Sequence, residues 1–313
     1  MYLSNITIFK FISFFLFFSM SQAFADSKDD NQRKQYLGHG RLFTNDFLGD
    51  GKDRWRTGSL SSSFAWGSVW KGQLPNQYAE LFEVQVLSEI IAPSDLSGKR
   101  GIDRPFAGHL QFGILNHFER AGIGYSLGAG VSVLGEKTGL DDFQIAVHKA
   151  LGEKLAADDV RNSQVKNQLR IGPLFELSKS VSENHNVLIR PFFAAHSTAE
   201  TLVRVGTDVY FGTGFSNALY SRDQVTGQRY HITGIAQETL GFSIGGDISQ
   251  VAHSAFFDGS ETPMNKRRLR FRTGLHWGHK TKQGFAGLTW LSKEFSGQPE
   301  GQILGSVRLI LRF

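Results

Sequence analysis

Ile123-Gly-Tyr-Ser-Leu-Gly-Ala-Gly-Val-Ser-Val133 alternates strictly: Ile, Tyr, Leu, Ala, Val and Val at odd positions, Gly or Ser at even ones. A period of two places the apolar set on one face of an extended strand. Leu269 to Trp277 repeats the pattern, with Leu, Phe, Thr, Leu and Trp against Arg270, Arg272, Gly274 and His276. The chain closes on Ile303, Gly305, Val307, Leu309, Leu311 and Phe313 along one face, with Ser306, Arg308 and Arg312 on the other.

Alternation alone fits a soluble sandwich, whose apolar faces meet a core and whose polar faces meet water. It also fits a membrane barrel, whose apolar face meets lipid while small or charged residues fill the interior. Two further features favour the barrel. The chain has 35 Gly and 27 Phe but only 7 Pro, and many of the glycines sit inside the alternation, where they suit an inner barrel face. Trp66, Trp70, Trp277 and Trp290 fall near strand ends, as an interfacial aromatic girdle requires.

The first 25 residues read as a secretory leader. Lys10 precedes the apolar run Phe11 to Phe18, and Ala23-Phe24-Ala25 gives the small-x-small cleavage pattern. The apolar core is short for a membrane-spanning helix, and the remaining chain has no long apolar run. The expected organisation is a signal peptide at 1–25 and one domain at 26–313. With no Cys, disulfide scaffolds, thiolate zinc sites and a cysteine nucleophile are excluded. The net charge of +5, from 34 basic and 29 acidic residues, accompanies no interleaving of aromatic and basic residues, so nucleic acid is not an expected partner. An anionic lipid suits that charge better.

The fold expected is all-β: a transmembrane, antiparallel, up-and-down barrel of about 12 strands in the outer membrane of a Gram-negative bacterium. Strands fall near 37–45, 55–70, 80–91, 105–118, 121–134, 167–181, 186–197, 200–212, 239–252, 267–278, 284–295 and 302–313. With both termini periplasmic, the turns at 119–120 and 182–184 lie inside, and 213–238 forms a long periplasmic connection. The long outer segment 135–166 carries a predicted helix from Asp141 to Leu151, with two acids in its first turn.

Three segments then share the outer rim: Thr44-Asn45-Asp46, Asp53-Arg54-Trp55-Arg56-Thr57-Gly58, and the helix with Gln144 and His148. Thr57 has the odd parity of Ser59, Ser61 and Ser63, while Leu60, Phe64 and Trp66 are even, so Thr57 is expected to face the lumen. Gln144 and His148, four residues apart, share one helix face. Asp50-Gly51-Lys52-Asp53 alone reads as an ordinary solvated turn.

At these residues the chain resembles the lipid A 3′-O-deacylases of the LpxR type. The matching elements are Asn45-Asp46 after the first strand, Asp53-Arg54 and Thr57 entering the second, Gln144-x-x-x-His148, and Phe257-Asp258-Gly259 after the ninth. The resemblance spans essentially the whole mature chain. It implies His148 as general base, Asp46 as a calcium ligand, Asn45 and Thr57 lining the site, and Gln144 holding the oxyanion. A family lysine falls at Lys99 after a one-residue insertion, with Arg100 as the alternative. Arg56 before Thr57 and Gly58-Ser59 after it depart from the family pattern. The family further implies lipid A as substrate and calcium as cofactor. The closing strand ending in Phe313 resembles the signal read by the barrel assembly machinery.

The same residues make chemical sense without the family. Ester hydrolysis needs a base that works near neutral pH, which suits His148. It also needs oxyanion stabilisation, which a hard cation on Asp46 would supply. His-activated water is the favoured nucleophile, with an acylated Thr57 the alternative. Arg54, Arg56, Lys99 and Arg100 are expected to meet lipid A phosphates. Two rivals stand beside this reading, a non-catalytic small porin and an outer-membrane phospholipase.

Overall fold

A computed structural model describes residues 34–311 apart from 185, 216, 234–238, 280 and 281. The expected leader, Arg312 and Phe313 lie outside the described residues. The strands are Gln35–Asn45 (β1), Trp55–Gly67 (β2), Leu81–Ala92 (β3), Ala107–Arg120 (β4), Ile123–Leu134 (β5), Gln168–Ser178 (β6), Val181–Asn184 (β7) and Val187–Ser197 (β8). They continue with Glu200–Thr213 (β9), Leu219–Arg222 (β10), Arg229–Thr233 (β11), Thr239–Ser254 (β12), Arg267–His279 (β13), Lys282–Leu291 (β14) and Gln302–Leu311 (β15). Two helices, Leu140–Leu151 (α1) and Asp158–Asn162 (α2), lie between β5 and β6.

Twelve of these strands close into an antiparallel barrel: β1 pairs with β15, the order runs round both ways, and β6 pairs with β8 to seal the ring. Closure matters because lipid offers no hydrogen bonds to a free strand edge. The short β7 prolongs β6 and pairs with β8, so residues 182–184 belong to a strand rather than to the expected turn.

The burial rule of a soluble protein is inverted. In β13, Arg268, Arg270, Arg272 and His276 are buried, whereas Phe271, Leu275 and Trp277 are exposed. Ile114, Ile171, Leu240 and Leu309 are likewise 60–70% exposed, forming the lipid-facing band. Inside, charges pair. Near the rim opposite the chain ends (the distal rim), Arg56, Arg104 and Arg268 share Glu89, Glu200 and Glu294 at 2.5–3.3 Å. Deeper in the lumen, Arg204, Arg222, Arg270 and Arg272 share Glu176, Asp208 and Asp247.

The expected long connection at 213–238 is not a simple loop. Its β10–β11 hairpin enters from the rim where β1 starts and β15 ends (the proximal rim) and lies inside the lumen. The hairpin tip is organised by Asp223, which accepts bonds from the Thr226 amide at 2.7 Å and from its hydroxyl, while Gly227 turns at φ 75°. Asp223 also accepts from Ser61 of β2, Tyr230 meets Ser63 at 2.6 Å, and Arg270 donates to the carbonyls of Gln224 and Val225. A Cβ at Gly40 of β1 would lie 2.3 Å from the His231 carbonyl oxygen, so the wall is cut away to admit the hairpin. Trp70 belongs to this arrangement rather than to the lipid girdle: its indole donates to the Asn217 carbonyl at 2.9 Å.

Asp247 is the shared anion of three arginines, so its removal leaves three buried cations competing for Asp208 and Glu176. Asp247→Ala should cost about 3–5 kcal/mol and lower the temperature at which the folded, fast-migrating gel band is lost. An unchanged transition would refute the pairing. Because the hairpin occupies the lumen, purified protein should show no steady conductance in planar bilayers, and deletion of Leu219–Thr233 should open one. Stable pore currents from the intact protein would contradict the plug.

Candidate active site

The distal rim gathers most of the predicted site residues. β1 ends at Asn45, which faces Gly58 of β2 across the ladder. The Asn45 side-chain carbonyl accepts from the Phe47 amide at 2.8 Å, turning the chain out of the strand. Asp46 then organises the loop back to β2. Its carboxylate accepts from the Arg54 amide at 2.7 Å, and its backbone carbonyl accepts from the amides of Gly49 and Gly51.

β2 opens with two irregularities. Trp55 is buried and sits at φ 53°, a region that bulky side chains avoid. It is held there by an indole bond to Asp103 at 2.9 Å, by edge contact with Phe295 and by the Arg54 guanidinium stacked 3.9 Å above its ring. Next, the β2–β3 register slips between Arg56 and Gly58, leaving Thr57 as the extra residue of a bulge. A bulge re-aims side chains, and here Arg56 and Thr57 are both buried. Thr57 faces inward as its parity predicted. Arg56 does too, bound to Glu89, Glu200 and Glu294, and is therefore not a rim cation for phosphates. Arg54 is likewise engaged, with Asp50 and Glu300.

α1 lies over the rim against β3 and β4, with Leu140, Asp141, Gln144 and His148 buried. Its start carries Asp141 and Asp142, favourable at the positive end of a helix and tied by Arg161 at 2.8 Å to each carboxylate. Its end is set by Gly152, left-handed at φ 74°. That turn brings the Lys154 carbonyl to the His148 ring, 2.6 Å from Nδ1. A carbonyl can only accept, so Nδ1 carries a ring proton, and in the neutral ring Nε2 is the atom with the lone pair.

Nε2 lies 3.5 Å from Asp53, whose other carboxylate oxygen accepts the Thr57 hydroxyl at 2.5 Å. Thr57 is 3.5 Å from Asp46. The chain of contacts is therefore His148, Asp53, Thr57, Asp46. Asp53, which its Asp-Gly-Lys-Asp context assigns to a solvated turn, connects the histidine to the threonine. Asp46 is buried, and burial, with Asp53 and Asp50 nearby, pushes its carboxyl up to about 8 against the pull of the Arg54 and Phe47 amides. No ion pair to Asp46 is present among the described residues. Gln144 Nε2 is buried with no hydrogen-bond partner, a donor that natural structures rarely leave unused.

Lys99 and Arg100 lie in the exposed loop between β3 and β4, turned by Asp95. Among the described residues no polar side-chain contact joins either to His148, Asp53, Thr57 or Asp46. Asp258 binds Arg170 at 2.6 Å and His253 at 3.0 Å, while Phe257 packs with Phe295 in the aromatic cluster beneath the rim. Among the described residues no three His, Asp or Glu side chains form a metal cage by themselves.

A closed twelve-stranded barrel carrying a histidine–carboxylate–hydroxyl cluster on one rim is an integral outer-membrane protein with a polar site at its mouth. Residues 11–313 match the family described as outer membrane protein LpxR, and the chain belongs to that family. It is similar to the solved structure titled LpxR from Salmonella typhimurium, with 16% identity, 88% of this chain and 100% of that one covered, and a TM-score of 0.71. More distant are the β domain of the Bordetella autotransporter BrkA (8% identity, 89% and 99% covered, TM-score 0.41) and the NanC porin (6%, 88% and 100%, 0.38). No curated protein sequence matches.

The tautomer is directly checkable. Long-range proton–nitrogen spectra of labelled protein should show the neutral His148 ring protonated at Nδ1. Protonation at Nε2 would remove the free base the geometry describes.

Proposed function

We propose that the protein is an outer-membrane esterase that removes the 3′-linked acyloxyacyl group of lipid A. The observation that carries this reading is the His148 ring, clamped at Nδ1 by the Lys154 carbonyl and directed at Nε2 toward the Asp53–Thr57 pair. Membership of the LpxR family supports the lipid A substrate. With the chain ends in the periplasm, the site lies at the outer rim, at the depth where the outer leaflet presents its acyl esters. Delivery by a cleaved leader and insertion by the barrel assembly machinery belong to the same proposal.

His148 acts as general base, taking a proton from water at Nε2 as the oxygen attacks the ester carbonyl, and the imidazolium returns that proton to the departing 3′-oxygen as the acyl C–O bond breaks and the fatty acid leaves. The Gln144 amide, buried and unpartnered, donates to the oxygen that gains charge. Asp53 orients Thr57 by accepting its hydroxyl proton. That bond also argues for water over Thr57 as nucleophile. In a nucleophile–histidine–carboxylate relay the hydroxyl bonds to the histidine, whereas Thr57 bonds to the carboxylate. Asn45 lines the approach.

The donor set fits a hard cation such as calcium. Asp46 is a buried carboxyl group with no cationic partner among the described residues, and Asp53 and the Thr57 hydroxyl stand beside it as further oxygen donors of the kind calcium takes. When bound, the ion supplies Lewis-acid polarisation of the ester carbonyl. Asp46 would be its anchoring ligand. Lys99 and Arg100, exposed above this rim, remain available for lipid A phosphates.

With purified protein and lipid A, His148→Ala should lose about 10²–10⁴-fold in rate while keeping the fast-migrating folded band. Asp53→Ala should lose about tenfold or more, the value of a hydrogen bond to a charged group. Excess chelator should abolish the reaction, and calcium should restore it more fully than magnesium, which demands stricter octahedral geometry. Activity of His148→Ala within a few-fold of wild type rejects the general base. Full activity in chelator rejects the metal and shifts the mechanism to Thr57.

A further inference from the structure

A sizeable cavity lies in the barrel away from the His148 cluster. It occupies about 350 Å³ between the β10–β11 hairpin and the wall formed by β3 to β6, β8 and β9, at the lower end of small-molecule pocket volumes. Trp70 to Leu74, Glu119 and Ser180 border it at the proximal rim, so its mouth faces the side on which the chain ends lie.

Its charges are not balanced as elsewhere in the lumen. Arg56, Arg104, Arg204, Arg222, Arg268, Arg270 and Arg272 each hold a carboxylate. Arg190 and Arg229, which line the cavity, hold none among the described residues. Arg190 donates only to the hydroxyls of Ser178 and Ser180, at 2.6 and 3.2 Å, and its Nε is buried without any partner. Arg229 is buried, donates to the Tyr220 carbonyl at 3.4 Å and lies over the Tyr220 ring at 5.2 Å. The Glu176 carboxylate acts electrostatically on both and Asp208 on Arg229, with no ion pair to either among the described residues. The nearby carboxylates are engaged: Glu176 takes two bonds from Arg222, and Glu83 is bound by His117 at 2.7 Å and Gln85 at 3.0 Å. Glu119 stands at the mouth. Two unpaired guanidinium groups beside a water-accessible cavity lack one component, an anion with several acceptor oxygens.

We propose that this cavity is an oxyanion site in which Arg190 and Arg229 grip one phosphate group, either free phosphate or a small phosphomonoester, entering from the proximal rim. Ser180 and Tyr220 flank the group, and the hairpin that plugs the lumen forms one wall. The site is separate from the His148 cluster and does not depend on the esterase reading.

Isothermal titration of the detergent-solubilised, folded protein with inorganic phosphate tests this, against chloride at matched ionic strength. Phosphate should bind saturably and raise the heat-modifiability transition, and chloride should do neither. Glycerol 3-phosphate in a parallel titration distinguishes the sources: tighter binding assigns a monoester, weaker binding assigns the free ion. Arg190→Gln and Arg229→Gln should each weaken binding about tenfold or more, and His148→Ala should bind as wild type does. Without phosphate, both glutamine variants should be at least as heat-stable as wild type, since each removes an unpaired buried cation. No saturable binding by wild type would overturn the proposal. So would undiminished binding by the double variant. Failure of either single variant to fold would do the same, because it would show that the guanidinium already has an essential partner.

Discussion

The pairing of buried charge inside the barrel is the constraint from which the rest of the molecule follows. A wall one residue thick meets lipid outside, so most of its large apolar side chains point outward and its charged side chains are left in the lumen beside a minority of apolar ones such as Leu42, Leu87 and Phe285. Arginines placed there must find carboxylates, because an unpaired ion is costly wherever water is scarce. Arg56 shows how far this reaches. Its three glutamates come from β3, from β9 and from the loop after β14, so one side chain ties distant parts of the rim together. To point Arg56 inward without turning Thr57 outward, β2 carries a bulge, and the bulge sets the threonine beside Asp53 and Asp46.

The strands were legible because period-two alternation is a local signal that survives any tertiary context. Each expected barrel strand has its counterpart, and α1 begins one residue before the reading placed it. Thr57, Asp46 and His148 stand out in the sequence because they sit where alternation breaks into polar clusters, and the fold brings them onto one rim. Three features were misread, each for a physical reason. Asp53 shares its composition with any solvated Asp-Gly turn, and only the fold shows it reaching His148. Arg56 was taken for a rim cation because a bulge puts two successive residues on the same face, which parity counting cannot anticipate. The hairpin at 219–233 was passed over as a connection, although Asp223-Gln224-Val225-Thr226-Gly227 carries a turn signature with strand-like residues on either side. Its burial depends on contacts with Ser61, Ser63 and Arg270, far away in sequence.

The two halves of the lumen have different characters. The distal half is closed by paired ions beside an aromatic cluster of Trp55, Phe256, Phe257 and Phe295, which underlies the His148–Asp53–Thr57 contacts. The strained Trp55 backbone belongs to that cluster, two residues from Thr57, so the site is built on packed elements rather than on free loops. The proximal half keeps a cavity and unpaired cations. The hairpin that separates the two halves is held to the wall by Ser61, Ser63 and Arg270.

The account stands or falls on which ester bond the rim attacks. Mass spectra of total lipid extracts from cells with and without the protein test this most directly, because lipid A and glycerophospholipids are read in one sample. The account predicts that lipid A loses its 3′ acyloxyacyl mass only in cells carrying the active protein, with the phospholipids unchanged. Intact lipid A accompanied by accumulating lysophospholipids would contradict it.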